Sequence, residues 1–373
     1  MPHTFDIAIL GATPAGYAAA CRLADAGKDV IVIDSPREPV DCPLTDWIPA
    51  DFFEISGLPK ALAKTSAAEP FNDVVFHDIK LTKEALYHNK KAAGYFLDTA
   101  RLLAALASAA GKAGAKNRKM VTSPAIRLEE DCVVIVGSSQ IHARLLIVAQ
   151  NRPEHVFSEL ALPVRSVPAS PIIVAAIDVP LPGKSAANKP AAGQLHIIQL
   201  ATRGELGLYF ATKSLIHIRV IRESGTSARH AAELSQLVGN LQKAGLLPTD
   251  LPLGKARGAV WHPPAGVALE LETHVAKRTL LTGSAGGFAD SITGATLSSS
   301  VQSAMLGAKS ALAALDSDDT QNALASFKTS WRKELADQLR PPNTSLPMIM
   351  PLLFSNSRLM AKFATALLHG ESI

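Results

Sequence analysis

The strongest constraint on this chain is its opening stretch. Phe5-Asp6-Ile7-Ala8-Ile9-Leu10-Gly11-Ala12-Thr13-Pro14-Ala15-Gly16 leads into a helical run and then Val30-Ile31-Val32-Ile33-Asp34. An apolar run, a glycine turn, a helix and a second apolar run ending in an acid form the βαβ layout used for dinucleotides. One position departs from the usual G-x-G-x-x-G. Thr13 stands where glycine normally lets the backbone approach a pyrophosphate, and its β-branched side chain adds bulk there.

The segment still predicts an anion site. Thr13 is suited to cap the helix, Pro14 to occupy its first position, and the N–H groups around Ala15 and Gly16 to face a phosphate. Ala18, Ala19, Leu23 and Ala26 give the helix a small-residue face, and Gly27 ends it. Asp34 lies about twenty residues beyond Gly11, where a carboxylate takes ribose hydroxyls.

Composition narrows the classes further. The chain has 373 residues, 47% hydrophobic and 19% charged, enough to bury a large core. Its net charge of +4 is dispersed, and the one basic cluster, Lys116, Arg118 and Lys119, has no interleaved aromatics, which argues against a nucleic-acid partner. Cys21, Cys42 and Cys132 make no disulfide framework and no metal spacing, as expected of a reducing compartment. The start lacks a charged leader and no run is long enough to span a bilayer, so the expected location is the cytoplasm.

Residues 35–93 read as loops with short helices. Leu97–Ala113 has helical spacing, closed by Gly111 and Gly114, and Cys132–Val136 and Arg144–Ala149 read as strands. Ile172–Val179, Leu195–Leu200, Gly207–Ala211 and Leu215–Ile221 are β-rich runs between turns, which predict an antiparallel sheet. An amphipathic helix follows at Arg229–Ala244, then a strand at Thr279–Leu281 entering a glycine turn, then helices at Ser298–Leu315 and Thr320–Leu339. The expected fold class is α/β. A Rossmann-like nucleotide domain (1–163 and 264–318) is interrupted by an antiparallel-sheet substrate domain (164–263), with a helical C-terminal segment (319–373).

A second signature lies at Leu280-Leu281-Thr282-Gly283-Ser284-Ala285-Gly286-Gly287-Phe288-Ala289-Asp290-Ser291-Ile292-Thr293-Gly294-Ala295. It resembles the flavin-contact motif of the geranylgeranyl reductase branch of FAD-dependent oxidoreductases, relatives of para-hydroxybenzoate hydroxylase. Weaker matches are Leu97-Asp98, the strand Leu146-Ile147-Val148-Ala149-Gln150-Asn151, and Pro263-Pro264-Ala265-Gly266. The resemblance implies FAD as cofactor, NAD(P)H as a possible electron donor, and an apolar, lipid-like or aromatic small molecule as substrate. It assigns cofactor contacts to Gly11, Thr13, Pro14, Ala15, Gly16, Asp34, Gln150, Gly283, Ser284, Gly286, Gly294 and Ala295. Ser284 and Gln150 replace aspartates of the family pattern. Charge-assisted hydrogen bonds contribute about 1.5 to 3 kcal/mol each, so the two changes weaken FAD by at most roughly two to four powers of ten. The competing expectation is therefore a degenerate relative that binds a small molecule or lipid without tight FAD.

No acid/base pair or nucleophile triad emerges from spacing. Cys42, Tyr209, His217 and His262 are the candidate catalytic residues, with His217 and Arg219 expected on an exposed sheet face. The C-terminal stretch carries Leu359, Phe363, Leu367 and Leu368 beside Arg358 and Lys362, a pattern that suits a membrane surface, a substrate tunnel or packing on the protein's own core.

Overall fold

A computed structural model describes residues 3–34, 45–66, 68–137, 139–151, 154–160, 172–181, 191–200, 205–222, 227–251, 257–262, 267–290, 293, 295–340 and 346–369. The opening strand, Thr4–Leu10, lies near the middle of an eight-stranded sheet. It pairs in parallel with Val30–Asp34 on one side and Gln140–Val148 on the other. Lys116–Lys119 and Thr279–Leu281 extend the parallel part outward. Alternation decides the two faces. Ile7, Ile9, Val30, Val32, Leu145 and Ile147 pack under the helices, while Ala8, Leu10, Ile31, Ile33, Leu146 and Val148 pack under the hairpin Ala125–Leu128/Val133–Val136. Both faces are covered, which is why these strands read as continuous apolar runs.

The helix Pro14–Asp25 lies between Leu297–Leu315 and Thr99–Ala113. The expected helix from Leu97 begins two residues later. Leu97 pairs with Asp46 in a strand, and Asp98 caps the helix by accepting the Arg101 N–H at 3.0 Å.

A seven-stranded sheet runs in the order Arg257–His262, Ile172–Pro180, Leu215–Arg222, Leu206–Ala211, Gln194–Gln199, Asp73–His77, Glu84–His88. It is antiparallel except where Gln194–Gln199 pairs in parallel with Asp73–His77. The reading of 35–93 as loops and short helices is corrected here. Among the described residues that stretch also holds strands at Thr45–Pro49, Glu69–Phe71, Asp73–His77 and Glu84–His88. Runs of three to five residues between turns are too short for alternation to stand out.

Thr45–Pro49, Gly94–Asp98 and Glu69–Phe71 form a small third sheet. Phe71 stacks on Phe96 at 4.5 Å and Phe96 on Phe210 at 4.1 Å, joining this sheet to the seven-stranded one. Each stack adds about 0.5–1.5 kcal/mol beyond the area buried.

The C-terminal helices, Leu346–Leu353 and Ser357–His369, close the same core. Met360, Phe363, Leu367 and Leu368 are buried, and Phe363 meets Phe76 at 5.5 Å. The protein's own core therefore covers most of the apolar face of the last helix. No helix among the described residues is long and apolar enough to cross a membrane.

Candidate cofactor site

Two glycine turns meet where the parallel strands end. In the first, Gly11 has φ +125, and a Cβ there would lie 2.7 Å from the Ala149 carbonyl carbon. The Ala149 N–H donates to Leu10 O at 2.8 Å, so the turn is pressed against the end of the neighbouring strand. Gly16 is tighter still, since a Cβ would meet the Gly11 carbonyl oxygen at 2.0 Å.

Thr13 is the N-cap and Pro14 takes the first helical position. The Thr13 hydroxyl accepts the Gly16 N–H at 3.1 Å and donates to Ala149 O at 2.8 Å. The side chain that replaces glycine thus occupies one of the helix's own anion-binding donors. The Ala15 N–H has no such partner among the described residues.

The second turn follows Thr279–Leu281. Thr282 N–H donates to Val148 O and Gly283 N–H to Ser303 Oγ, both at 2.9 Å. A Cβ on Gly283 would lie 3.2 Å from the Ala15 Cβ, so the two turns touch. Ser284 and Gly286 are buried beside this contact. Gln150, one residue past Ala149, is buried with its Oε1 unpartnered. Asp34 is half-buried at the end of its strand, and its charge helps raise the Tyr17 phenol, mainly shifted by burial.

From the second turn the chain passes to the helix Leu297–Leu315. Asp290 Oδ1 accepts the Thr293 N–H at 2.7 Å and hydroxyl at 2.8 Å, while Ala295 O accepts the Asp290 N–H at 2.7 Å. Gly294 lies outside the described residues, and Ala295 is half-buried. Thr296 provides no side-chain cap to the helix. The first-turn N–H groups of Leu297, Ser298 and Ser299 carry no partner among the described residues. That end of the helix is an open donor set for an acceptor oxygen.

His274, which the sequence reading missed, braces the second turn. It donates from Nε2 to Gly286 O at 2.9 Å and sits among Phe288, Trp331 and Phe327. Burial pushes its pKa down to about 4, so it is neutral with an unpartnered Nδ1.

The candidate catalytic residues do not come together. Cys42 lies outside the described residues, as does the side chain of His262, whose backbone pairs with Ile172. Tyr209 and His217 are on opposite faces of the seven-stranded sheet, because Tyr209 pairs with Ile218 and Phe210 with His217. The expectation of an exposed face for His217 and Arg219 is corrected, since both are buried.

Tyr209 stacks on His196 at 4.1 Å, and His196 Nδ1 is 2.9 Å from His77 Nε2. Burial drives the Tyr209 phenol upward and His196 down to about 3. On the other face, Arg219 donates from Nε to His217 Nε2 at 3.2 Å and from Nη1 to Asp46 Oδ1 at 3.3 Å. His217 must therefore carry its proton on Nδ1, which lies 2.6 Å from Asp178 Oδ1. Burial keeps the imidazole neutral. This hydrogen-bonded chain ties the small sheet to the large one. Its one sequence signal is Asp178, a carboxylate within the apolar run Ile172–Pro180.

The parallel sheet with two touching glycine turns, coupled to a large mixed sheet, is the fold of FAD-dependent oxidoreductases. The protein is similar in structure to a geranylgeranyl bacteriochlorophyll reductase-like protein from Thermoplasma acidophilum. The TM-score is 0.78 at 15% identity, covering 99% of this chain and 97% of that one. It is similar to p-nitrophenol 4-monooxygenase PnpA from Pseudomonas putida DLL-E4, with TM-score 0.71 and 15% identity over 98% of this chain and 94% of that one. The structure of CtdE in complex with FAD and a substrate matches with TM-score 0.68 at 13% identity, covering 90% of this chain and 87% of that one. No protein-family model and no curated protein sequence matches the chain.

Proposed function

We propose that the protein is an FAD-dependent oxidoreductase, of the reductase or monooxygenase kind, acting on a small and largely apolar molecule. The contact between Ala15 and Gly283 carries the reading, because it brings both glycine turns onto one ligand path. Asp34 would take the ribose hydroxyls, and the Ala15 N–H with the Thr13 turn would take the pyrophosphate. Gln150 and Ser284 would accept from the ribityl hydroxyls. The open N-terminus at Leu297–Ser299 would meet the polar edge of the ring, with Gly286, Gly294 and Ala295 shaping the approach.

Bound there, FAD supplies the exchange of hydride or electrons, drawn from a donor such as NAD(P)H. The chain's own residues supply a dry surrounding. Trp47, Phe71, Phe96 and Phe210 form a contiguous buried cluster between the two smaller sheets, which keeps water out of that junction. His217 holds its proton toward Asp178 and its lone pair toward Arg219, so it fixes this interface rather than abstracting a proton.

The test is the visible spectrum of the purified protein, followed by FAD titration of the apo form by flavin fluorescence. Saturable uptake supports the reading, and a colourless protein that takes up no flavin at high micromolar FAD overturns it. NADPH oxidation with and without dioxygen then separates monooxygenase from reductase.

A second reading rests on the Thr13 hydroxyl holding the Gly16 N–H. With that donor taken and two aspartates of the family pattern replaced, the protein would bind a small molecule or lipid without tight FAD. A flavin-free protein that takes up a fatty acid or aromatic probe would support it.

A further inference from the structure

Far from the glycine turns, the hairpin beneath the parallel sheet gathers three side chains of metal-binding type. Glu129 follows the strand Ala125–Leu128, Cys132 precedes Val133–Val136, and His142 lies on Gln140–Val148 opposite Val134. The alternation of strand residues puts Cys132 and His142 on one face, and the turn brings Glu129 over it, with the Glu129 N–H donating to Cys132 O at 2.9 Å.

We propose that Glu129, Cys132 and His142 bind a divalent metal of the zinc type, which staples this hairpin turn. The donor set is thiolate, imidazole and carboxylate, the borderline-soft combination that zinc takes with three protein ligands and water. Ligand lengths of about 2.0 Å for N and O and about 2.3 Å for S, at tetrahedral angles, separate sulfur from each other donor by about 3.5 Å. Here Cys132 Sγ lies 3.6 Å from Glu129 Oε2 and 3.9 Å from His142 Nδ1. All three donor atoms fall within 4.8 Å of one another.

The turn is also held in place from outside. Arg278 donates from Nε to Glu130 O at 3.1 Å and reaches Asp131 at 3.8 Å. It does so from a two-residue turn in which Lys277 and Arg278 both have positive φ (39 and 67), a backbone conformation costly for side-chain-bearing residues. Glu129 borders an open groove of about 630 Å³ that is also lined by Lys277, Arg278, Asp318 and Asp319. Binding replaces the thiol proton by the metal, so one proton is released per ion taken up.

The test uses the full-length protein after chelator treatment and reduction, titrated with Co²⁺ alone. One equivalent should bind with a thiolate-to-cobalt charge-transfer band and tetrahedral d–d bands, and Zn²⁺ should bleach both. Cys132→Ser should abolish the charge-transfer band, and Glu129→Gln and His142→Gln should weaken binding at least about tenfold. Cys21→Ser and Cys42→Ser should leave binding unchanged. On the unaltered protein, one equivalent of Zn²⁺ should slow alkylation of Cys132, located by mass spectrometry, at least tenfold. The proposal is overturned if the wild-type protein shows no charge-transfer band at tenfold excess Co²⁺, if Cys132→Ser keeps it, or if Zn²⁺ leaves Cys132 labelling unchanged.

Discussion

The two glycine turns of this protein are built with different supports. The first is closed by a hydroxyl, as Thr13 takes the Gly16 N–H and ties itself to Ala149. The second is braced from behind by a neutral imidazole, His274 on Gly286, and leads to a helix start with no side-chain cap. One turn has satisfied part of its own anion site from within, while the other leaves donors open for a ligand. A turn that meets its own hydrogen-bonding needs gains stability at the expense of affinity.

The comparison breaks most sharply at Gly16. Gly16→Ala places a Cβ 2.0 Å from the Gly11 carbonyl oxygen, and the first turn cannot close. We expect a loss of about 3 kcal/mol or more in denaturant unfolding. An unchanged midpoint would mean that the turn is looser than described.

Acid should loosen the second turn and spare the first. His274 has an ordinary pKa of 6.5 and about 4 when folded, so the unfolded chain binds more protons between those values. Stability from this group is therefore complete above pH 6.5 and declines as pH falls toward 4, by up to about 1.4 kcal/mol per pH unit. His77, His196 and His217, also shifted downward, add slope of the same sign. In His274→Gln, melting temperatures measured from pH 7 to pH 4 should fall less steeply than in the wild type. A parallel pair of curves would remove His274 from the account.

Two replacements sharpen the contrast in affinity. Ser284→Asp restores a charged acceptor at the second turn and should tighten FAD about ten- to a hundredfold, read by fluorescence titration. Thr13→Gly frees the Gly16 N–H and should tighten FAD by up to about tenfold. It also removes the bond to Ala149, lowering stability by about 1 kcal/mol. Affinity and stability moving together in Thr13→Gly would argue against a trade between them.

Most of the parallel sheet was legible in the chain, since residues 7–10, 30–33 and 145–148 are buried on both faces and must be apolar throughout. The N-cap role of Thr13 was legible for a similar reason, because it depends on residues three apart. The strands at 45–49, 69–71, 73–77 and 84–88 were not. Glu84–His88 pairs with the nearby Asp73–His77 in runs too short for alternation to stand out, and the other partners lie farther off in sequence: Val74 meets Leu195 and Asp46 meets Leu97. His274 reads as an ordinary loop histidine until Gly286 and Trp331 are folded around it.

The sequence by itself determined the parallel half, the two glycine turns and the substitutions that mark them. Local chemistry suffices there, because turn geometry, helix capping and two-sided burial are written in neighbouring residues. Tertiary structure alone decided that the turns touch, that Tyr209 and His217 face opposite ways, and that Asp178, His217, Arg219 and Asp46 form one buried chain. Those relations depend on strand register and on pairing across up to 173 positions, which no local pattern encodes.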